Sequence, residues 1–340
     1  MKLFPVLCVV ACTPAASVAQ VAEPVPDDPV LAAEMTEAAR RFLSALPEPQ
    51  ARRARFGLDD AERMNWHYIP RARRGVALGE LGDPQRHLAY GFLATALGRR
   101  GLLKASAIMA LEEVLRQRGG AFTRDPGAYF LAVFGEPSTR STWGWRLEGH
   151  HLSLNLTLID GRFAVAAPAF LGAAPSLVGG NGMLAGTRVL GLEEDLGFEL
   201  INSLEGGARR EAIHDATAPE DVLAGPGDVL AELPGLPEAR MTPAQRRILG
   251  ALLDEILENL PREVADRERT RLAPITFTWM GSTAPGKPHY FRLAGPRFVY
   301  EYDNTQEQAT HVHTVWHVRE SAGGDFGADL LRAHYRQDHQ

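Results

Sequence analysis

Three histidines near the end of the chain have the spacing of a metal site. In the segment His311-Val312-His313-Thr314-Val315-Trp316-His317, a β-strand would place the three imidazoles on one face and Val312, Thr314 and Trp316 on the other. On a strand, His311 and His313 would lie roughly 7 Å apart at Cα, a distance from which two imidazoles can converge on one divalent metal ion. The alternative is that these histidines only form hydrogen bonds or face water.

Two carboxylates come shortly before these histidines. Glu301 and Asp303 share one face of the preceding predicted strand, and a short turn would bring that strand back against His311. Two histidines and a carboxylate form a familiar open site for a divalent metal. We therefore expect His311 and His313 to be metal ligands together with Glu301 or Asp303, although Asp303-Asn304 also fits ordinary turn chemistry.

Further candidate catalytic residues lie on other predicted strands. If the strand through His150 and His151 is regular, the two rings point to opposite faces, and only one of them is expected to join a given site, unless a bulge turns both inward. We expect His151 to act as a ligand or an acid/base residue, and His289 to complete the site or move protons. Arg146 is a candidate anchor for an anionic substrate, but a salt bridge with Glu148 would explain it as well.

Several aromatic and polar residues are candidates for contact with a substrate. The run Trp66-His67-Tyr68-Ile69-Pro70-Arg71 is either a ligand-lining loop or a hydrophobic plug that closes the helical layer over the sheet. The candidate substrate-binding residues are Trp145, His67, Arg71 and Asn155.

The hydrophobic pattern places these residues in an α+β fold. Residues 29–340 are predicted to form one domain with a largely helical N-terminal half and central helices packed on a mainly antiparallel sheet, into which both β regions are joined. Its predicted parts are a helical layer over 29–135, a β ribbon over 143–167 with a hairpin turn at Asp160-Gly161, a helical and loop region over 187–272, a β meander over 275–318 and a C-terminal tail over 319–340.

The N-terminus resembles an export signal. Lys2 precedes an apolar run, and Ser17-Val18-Ala19 offers small residues for cleavage before Gln20, so we expect a signal peptide over 1–19, a linker over 20–28 and a periplasmic or secreted protein. The alternative is a membrane-anchored lipoprotein with a lipid anchor at Cys12, because the preceding residues also fit a lipobox. The apolar run is too short for a transmembrane segment.

Composition limits the possible partners and cofactors. The 340 residues are 45% hydrophobic and 23% charged, as in ordinary globular proteins, and the net charge of -6 gives no reason to expect nucleic acid as a partner. The arginine cluster over 71–74 is interpreted as a solvated face. Both cysteines lie in the predicted leader, which excludes zinc-ribbon and iron–sulfur chemistry and leaves zinc, iron, manganese, copper or calcium as the possible cofactor.

Several blocks of sequence together resemble one bacterial family. They are residues 143–155 (WGWRLEGHHLSLN), 65–71 (NWHYIPR), Tyr129-Phe130 with Phe134-Gly135, 289–292 (HYFR), 301–306 (EYDNTQ) and 325–327 (DFG). This pattern is similar to the family catalogued as domain of unknown function 3500, which implies no particular activity. Where the family pattern usually reads Trp-Arg-Asp, this chain has Trp316, His317 and Val318, so the resemblance does not support a role for His317.

The common catalytic signatures are absent from the sequence. It contains no Gly-x-Ser-x-Gly elbow, P-loop, dinucleotide-binding Gly-x-Gly-x-x-Gly or His-Glu-x-x-His motif. The favoured function is a divalent-metal-dependent hydrolase or oxidoreductase that acts on a small molecule. A non-catalytic periplasmic ligand-binding or envelope-associated module and a metal-free hydrolase are the alternatives.

Overall fold

A computed structural model of the chain describes residues 29–119, 124–226, 228 and 230–319. The predicted signal peptide, the linker, the lipid anchor at Cys12 and nearly all of the predicted tail lie outside the described residues.

The described α-helices of seven or more residues lie within the two regions that the sequence predicts to be helical, 29–135 and 187–272. They are Pro29–Ala45 (α1), Glu48–Ala54 (α2), Asp83–Ala94 (α3), Arg99–Arg118 (α4), Gly191–Ser203 (α5), Gly206–Ala212 (α6), Pro243–Leu257 (α7) and Arg262–Arg269 (α8). Thr242 shows why α7 starts where it does, since its hydroxyl accepts from the backbone of Gln245 while the Gln245 side chain accepts from the backbone of Thr242. None of the described helices is long and apolar enough to span a membrane.

The described strands all belong to one sheet. They are Arg55–Phe56 (β1), Val76–Ala77 (β2), Phe130–Phe134 (β3), Trp143–Gly149 (β4), Leu152–Ile159 (β5), Arg162–Val165 (β6), Ala169–Ala173 (β7), Ile213–Asp215 (β8), Leu236–Pro237 (β9), Thr276–Gly281 (β10), His289–Ala294 (β11), Phe298–Thr305 (β12) and His311–Val318 (β13). The main path runs β1-β3-β4-β5-β7-β13-β12-β11-β10-β8, and its pairings are antiparallel except β1 with β3 and β8 with β10. The fold is therefore α+β with a mainly antiparallel sheet, as predicted.

Strand β7 joins the two β regions. It pairs with β5 on one side and with β13 on the other, both antiparallel. The sequence did not predict it, because its five residues lie between Pro168 and Pro175 and carry little alternation of polar and apolar side chains. The prediction of a helical layer over 29–135 was wrong at the short strands β1 and β2 and at Phe130–Phe134, which forms β3. Its aromatic and β-branched composition is typical of a buried strand.

The two faces of the sheet differ in chemistry. The face that packs against the helices carries the main hydrophobic core, including Trp145, Tyr300 and Trp316. The opposite face carries charged and polar side chains, and a smaller apolar cluster lies on it. That cluster consists of Trp66, Tyr68, Phe170, Val222, Ala224, Leu230 and Val315. The 66–71 segment therefore contributes a hydrophobic plug, but on the face away from the helices.

Candidate metal centre

Three imidazoles from the two β regions converge where β7 meets its neighbours. The Nε2 atoms of His151 and His311 lie 2.8 Å apart, and the ring of His313 lies 5.3 Å from that of His151 and 4.7 Å from that of His311. One nitrogen of each ring lies within 4.8 Å of the others. Among the described residues, His151, His311 and His313 are the predicted site residues that converge in this way.

A tight turn brings His151 to this position. The chain through His150 and His151 is not a regular strand, because the two residues connect β4 to β5 and His151 adopts a positive φ of 61°. The backbone amide of His151 donates to the Tyr68 carbonyl at 2.9 Å, and its carbonyl accepts from Gly172 at 2.8 Å. The two histidine rings stack with centroids 3.6 Å apart instead of pointing to opposite faces.

Gly172 provides the space in which the rings meet. It lies directly opposite His313 in the pairing of β7 with β13. A Cβ at this position would lie 3.1 Å from Cδ2 of His313 and 3.2 Å from Cβ and Cδ2 of His151. Any larger residue would press on two of the three rings.

Asp221 fixes the orientation of His313. Nδ1 of His313 donates to Oδ1 of Asp221 at 2.7 Å, and Oδ2 of Asp221 accepts from the Tyr68 hydroxyl at 3.2 Å. The Tyr68 ring stacks on Phe170 at 3.8 Å and meets the His313 ring edge-on at 5.1 Å. With its proton on Nδ1, His313 keeps the lone pair on Nε2, and this buried atom has no hydrogen-bond partner among the described residues.

Glu301, a predicted metal ligand, instead holds the segment that carries Asp221. Its Oε2 accepts from the backbone amides of Leu223 at 2.6 Å and Ala224 at 3.3 Å, and its Oε1 pairs with Arg292 at 2.6 Å. His317 fastens the same segment by donating from Nε2 to the Ala224 carbonyl at 2.8 Å. Both residues thus hold the segment that carries Asp221 against the sheet. Neither belongs to the group of converging nitrogens.

Asp303, the other predicted carboxylate ligand, lies beside that group and not within it. It is directly opposite His313 in the pairing of β12 with β13, and its Oδ1 accepts from the Thr305 hydroxyl at 2.8 Å. Its Oδ2 is buried without a hydrogen-bond partner among the described residues. Burial, reinforced by the charges of Asp221 and Glu301, raises the pKa of Asp303 to about 7.

Electrostatics keep His151 and His311 neutral. Burial and the neighbouring imidazoles lower the pKa of His311 to about 3 and the pKa of His151 well below its usual range. For Asp221, burial acts to raise the pKa, but the hydrogen bond from His313 leads the effects that outweigh burial, and the pKa is lowered. A neutral imidazole is the form that binds metal.

Two predicted residues lie on the helical face of the sheet, away from the histidine cluster. His289 pairs with Asn304 and not with Asp303, so strand alternation directs its ring to the opposite side, where it stacks on Trp279 at 5.5 Å. Its Nδ1 donates to the Lys287 carbonyl at 2.8 Å. Trp145 is buried on the same side.

Two other predicted residues lie on the polar face but are engaged by protein groups. Arg146 pairs with Glu62 and, at 3.2 Å, with Glu148, in agreement with the salt-bridge alternative. The Asn155 amide donates to the Pro168 carbonyl at 2.9 Å. Neither side chain belongs to the converging group.

The predicted loop residues contact the hairpin that carries His151. The backbone amide of His67 donates to Glu148 at 2.7 Å, while the Arg71 side chain is exposed. The interpretation of the 71–74 cluster as a solvated face was wrong for Arg73, whose side chain is only 4% exposed. Arg73 pairs with Glu148 at 2.9 Å and donates to the carbonyl of Gly149 at 2.9 Å, so it ties the loop to the hairpin.

A surface groove lies beside residues that support the cluster. Its volume is about 1030 Å³, and its lining includes Asp221, the partner of His313, and Thr305, the partner of Asp303. The Asp221 side chain is 33% exposed and that of His311 is 13% exposed. A small polar molecule in the groove would therefore contact the partners of His313 and Asp303, and not the histidines themselves.

Comparison with known proteins gives one match. A family model described as "Protein of unknown function (DUF3500)" matches residues 28–328, which is most of the chain. No curated protein and no solved structure matches.

Proposed function

We propose that this chain, which belongs to the DUF3500 family, is an enzyme that holds one divalent metal ion through His151, His311 and His313 and hydrolyses a polar small molecule. The observation that carries this proposal is the hydrogen bonding of the two His313 nitrogens. Its Nδ1 is held by a carboxylate, while its buried Nε2 has no partner among the described residues and lies near the neutral imidazoles of His151 and His311. A buried polar atom without a partner is costly unless a ligand satisfies it.

The donor set fits a borderline metal such as zinc. Three imidazoles leave a coordination position open, which is typical of catalytic sites, whereas magnesium and calcium prefer oxygen ligands. A metal of this kind supplies a Lewis acid that polarises a substrate oxygen and activates water near neutral pH.

The surrounding residues have separate tasks in this proposal. Asp221 keeps the His313 proton on Nδ1 and raises the basicity of the ring, and Tyr68 holds the second oxygen of Asp221 in place. Asp303, with a free buried oxygen and a pKa near 7, is placed to accept or return a proton during hydrolysis. The groove, lined by hydroxyl, amide and charged side chains, would admit a polar substrate.

One observation favours oxidoreduction as a second candidate. The Tyr68 hydroxyl is linked through Asp221 to His313, and its ring packs edge-on against the same histidine. Three imidazoles would also suit copper or iron, which would supply oxidative chemistry, and Tyr68 contacts one of the proposed ligands. The identity of the bound metal separates the two candidates.

The cellular location is part of the same proposal. We place the protein in the periplasm or outside the cell on the strength of the export signal in residues 1–19, with anchoring at Cys12 as the alternative. A metal enzyme at this location would act on a small molecule outside the cytoplasm.

Metal analysis of protein purified without chelator tests the proposal. We expect about one zinc, copper or iron per chain, and loss of that metal in His313→Ala and His311→Ala. His87→Ala, at an exposed position in α3, is the matched control and should keep the metal. A wild-type protein that binds none of these metals, yet is stabilised by a small molecule, would favour the non-catalytic binding module instead.

A further inference from the structure

The connection between β12 and β13 contains a left-handed turn without glycine. Glu307 (φ 50°, ψ 39°), Gln308 (φ 62°, ψ 45°) and Ala309 (φ 61°) all adopt positive φ. Residues with a Cβ avoid this region, and when they do enter it they do so singly. Three in succession indicate a conformation that the surrounding structure imposes.

Contacts on both sides of the turn fix this conformation. The Thr310 hydroxyl donates to the Glu307 carbonyl at 2.8 Å, and the Thr310 carbonyl accepts from Ser176 at 2.7 Å. At the end of the turn, the amide of His311 donates to the Asn304 side chain at 3.2 Å. Ala309 is buried. The turn is thus tied to the strands and to the segment after β7.

The turn brings Glu307 next to a metal-site histidine. Oε1 of Glu307 lies 3.3 Å from Nδ1 of His311, and this nitrogen is buried and has no hydrogen bond among the described residues. The Nε2 atom of the same ring faces His151. His311 therefore repeats the arrangement at His313, with one nitrogen toward the cluster and a carboxylate near the other.

We infer that Glu307 is a positioning residue for His311 and that the left-handed turn serves to present it. When Nε2 of His311 binds a metal, Nδ1 must carry the proton, and Glu307 is the acceptor within reach. Asp221 and Glu307 would then each orient one of the two ligands of β13. This inference rests on the proposed metal site and adds to it a second supporting carboxylate.

Exposure makes the Glu307 contribution smaller than that of Asp221. The Glu307 side chain is 60% exposed, against 33% for Asp221, so water competes for its carboxylate. Loss of such an outer partner typically weakens metal affinity 10- to 100-fold. We expect Glu307 to lie at the lower end, at about tenfold.

The strain in the turn allows a test in which stability and affinity move in opposite directions. Glycine adopts positive φ freely, so Glu307→Gly and Gln308→Gly should each raise the Tm of the metal-free protein, by about 1–3 °C. Only Glu307→Gly should weaken zinc binding, about tenfold. Glu307→Gln should weaken zinc binding without raising the Tm. Gln308→Gly is the matched control because it lies in the same turn and carries no carboxylate.

The measurements are thermal melts in EDTA and zinc titrations against a chromophoric chelator. If Glu307→Gly and Glu307→Gln bind zinc as tightly as the wild type, the role of Glu307 is refuted while the metal site stands. If Gln308→Gly loses as much affinity as Glu307→Gly, the turn and not the carboxylate sets the affinity, and the inference is again refuted. A wild type that binds no zinc, copper or iron refutes the proposed function itself.

Discussion

At the scale of single residues, the candidate site depends on what the two nitrogens of each imidazole contact. His311 and His313 could be predicted because their spacing in one strand is visible in the sequence. Asp221 could not, since it lies 92 residues before His313 in a region rich in glycine and proline that offers no periodic pattern. Nothing in the sequence connects these two residues until the 221–224 segment is folded onto the sheet.

Replacing Asp221 should separate metal affinity from folding. Asp221→Asn keeps a side-chain oxygen near His313 but removes the charge, so we expect zinc to bind 10- to 100-fold more weakly. The apparent stability without metal should change little, because the side chain is one-third exposed. Zinc titration and denaturation in EDTA measure the two effects.

Asp228→Asn is the control for Asp221→Asn. Asp228 lies shortly after the 221–224 segment and accepts from Gly225 at 3.0 Å without contacting an imidazole, so its replacement should leave zinc binding unchanged. Equal affinities in Asp221→Asn and wild type would contradict the orienting role of Asp221.

The lowered pKa of His311 predicts a pH dependence of stability. Above pH 6.5 the ring is neutral in both the folded and the unfolded chain. As the pH falls from 6.5 toward 3, the unfolded chain binds a proton that the folded site refuses, so the free energy of unfolding decreases, by up to about 1.4 kcal/mol per pH unit. Asp303, whose pKa is raised to about 7, acts in the opposite sense.

Comparing variants isolates the contribution of His311. In urea denaturation with EDTA at pH 7.5, 6 and 5, His311→Gln should lose less stability on acidification than the wild type, because Asp303 contributes equally to both. His87→Gln, at an exposed site, should follow the wild type. Parallel curves for all three proteins would show that His311 is not held neutral by burial.

At the scale of elements, β7 is the part of the fold that makes the site. The meander β10 to β13, the hairpin turn at Asp160-Gly161 and the start of α7 could all be predicted from local signals, namely alternation, turn residues and caps. β7 and the His150-His151 turn could not, because their conformations depend on partners distant in sequence. The face on which His289 lies is also fixed by register, which the sequence alone does not reveal.

Gly172→Ala tests whether β7 shapes the site. The added methyl group would come within 3.1–3.2 Å of His313 and His151, so both rings must shift by a few tenths of an ångström. We expect zinc affinity to fall about tenfold while the strand pairing is preserved, since alanine fits the extended backbone. Zinc titration and circular dichroism would measure the two outcomes.

Ala173→Gly, a change of similar size at the next position of β7, is the control for Gly172→Ala. Its side chain lies on the helical face, so zinc affinity should be unaffected even if stability falls. An unchanged zinc affinity in Gly172→Ala would mean that the rings have more freedom than their contacts suggest.

At the scale of the whole molecule, the sheet separates the main hydrophobic core from the candidate site. Its helical face carries most of the hydrophobic core, and its other face carries the ion pairs, the histidine cluster and the groove. Because the proposed ligands come from the β4–β5 turn and from β13, metal binding should stabilise both β regions together.

Hydrogen exchange with and without zinc would reveal this coupling. We expect slower exchange in the β4–β5 turn, in β13 and in the 221–224 segment on adding zinc, and no change in α1 or α8, which lie away from the site. Protection confined to β13 would contradict binding by His151.

The distance along the chain between the proposed ligands also determines whether folding or metal binding comes first. His151 and His311 are 160 residues apart, and the second ligand-bearing strand is among the last described elements to leave the ribosome. A nascent chain, or one threaded unfolded through a membrane, cannot assemble all three imidazoles. Metal would therefore enter only after folding, from the compartment in which folding is completed, and the metal supply of that compartment would decide which ion the protein carries.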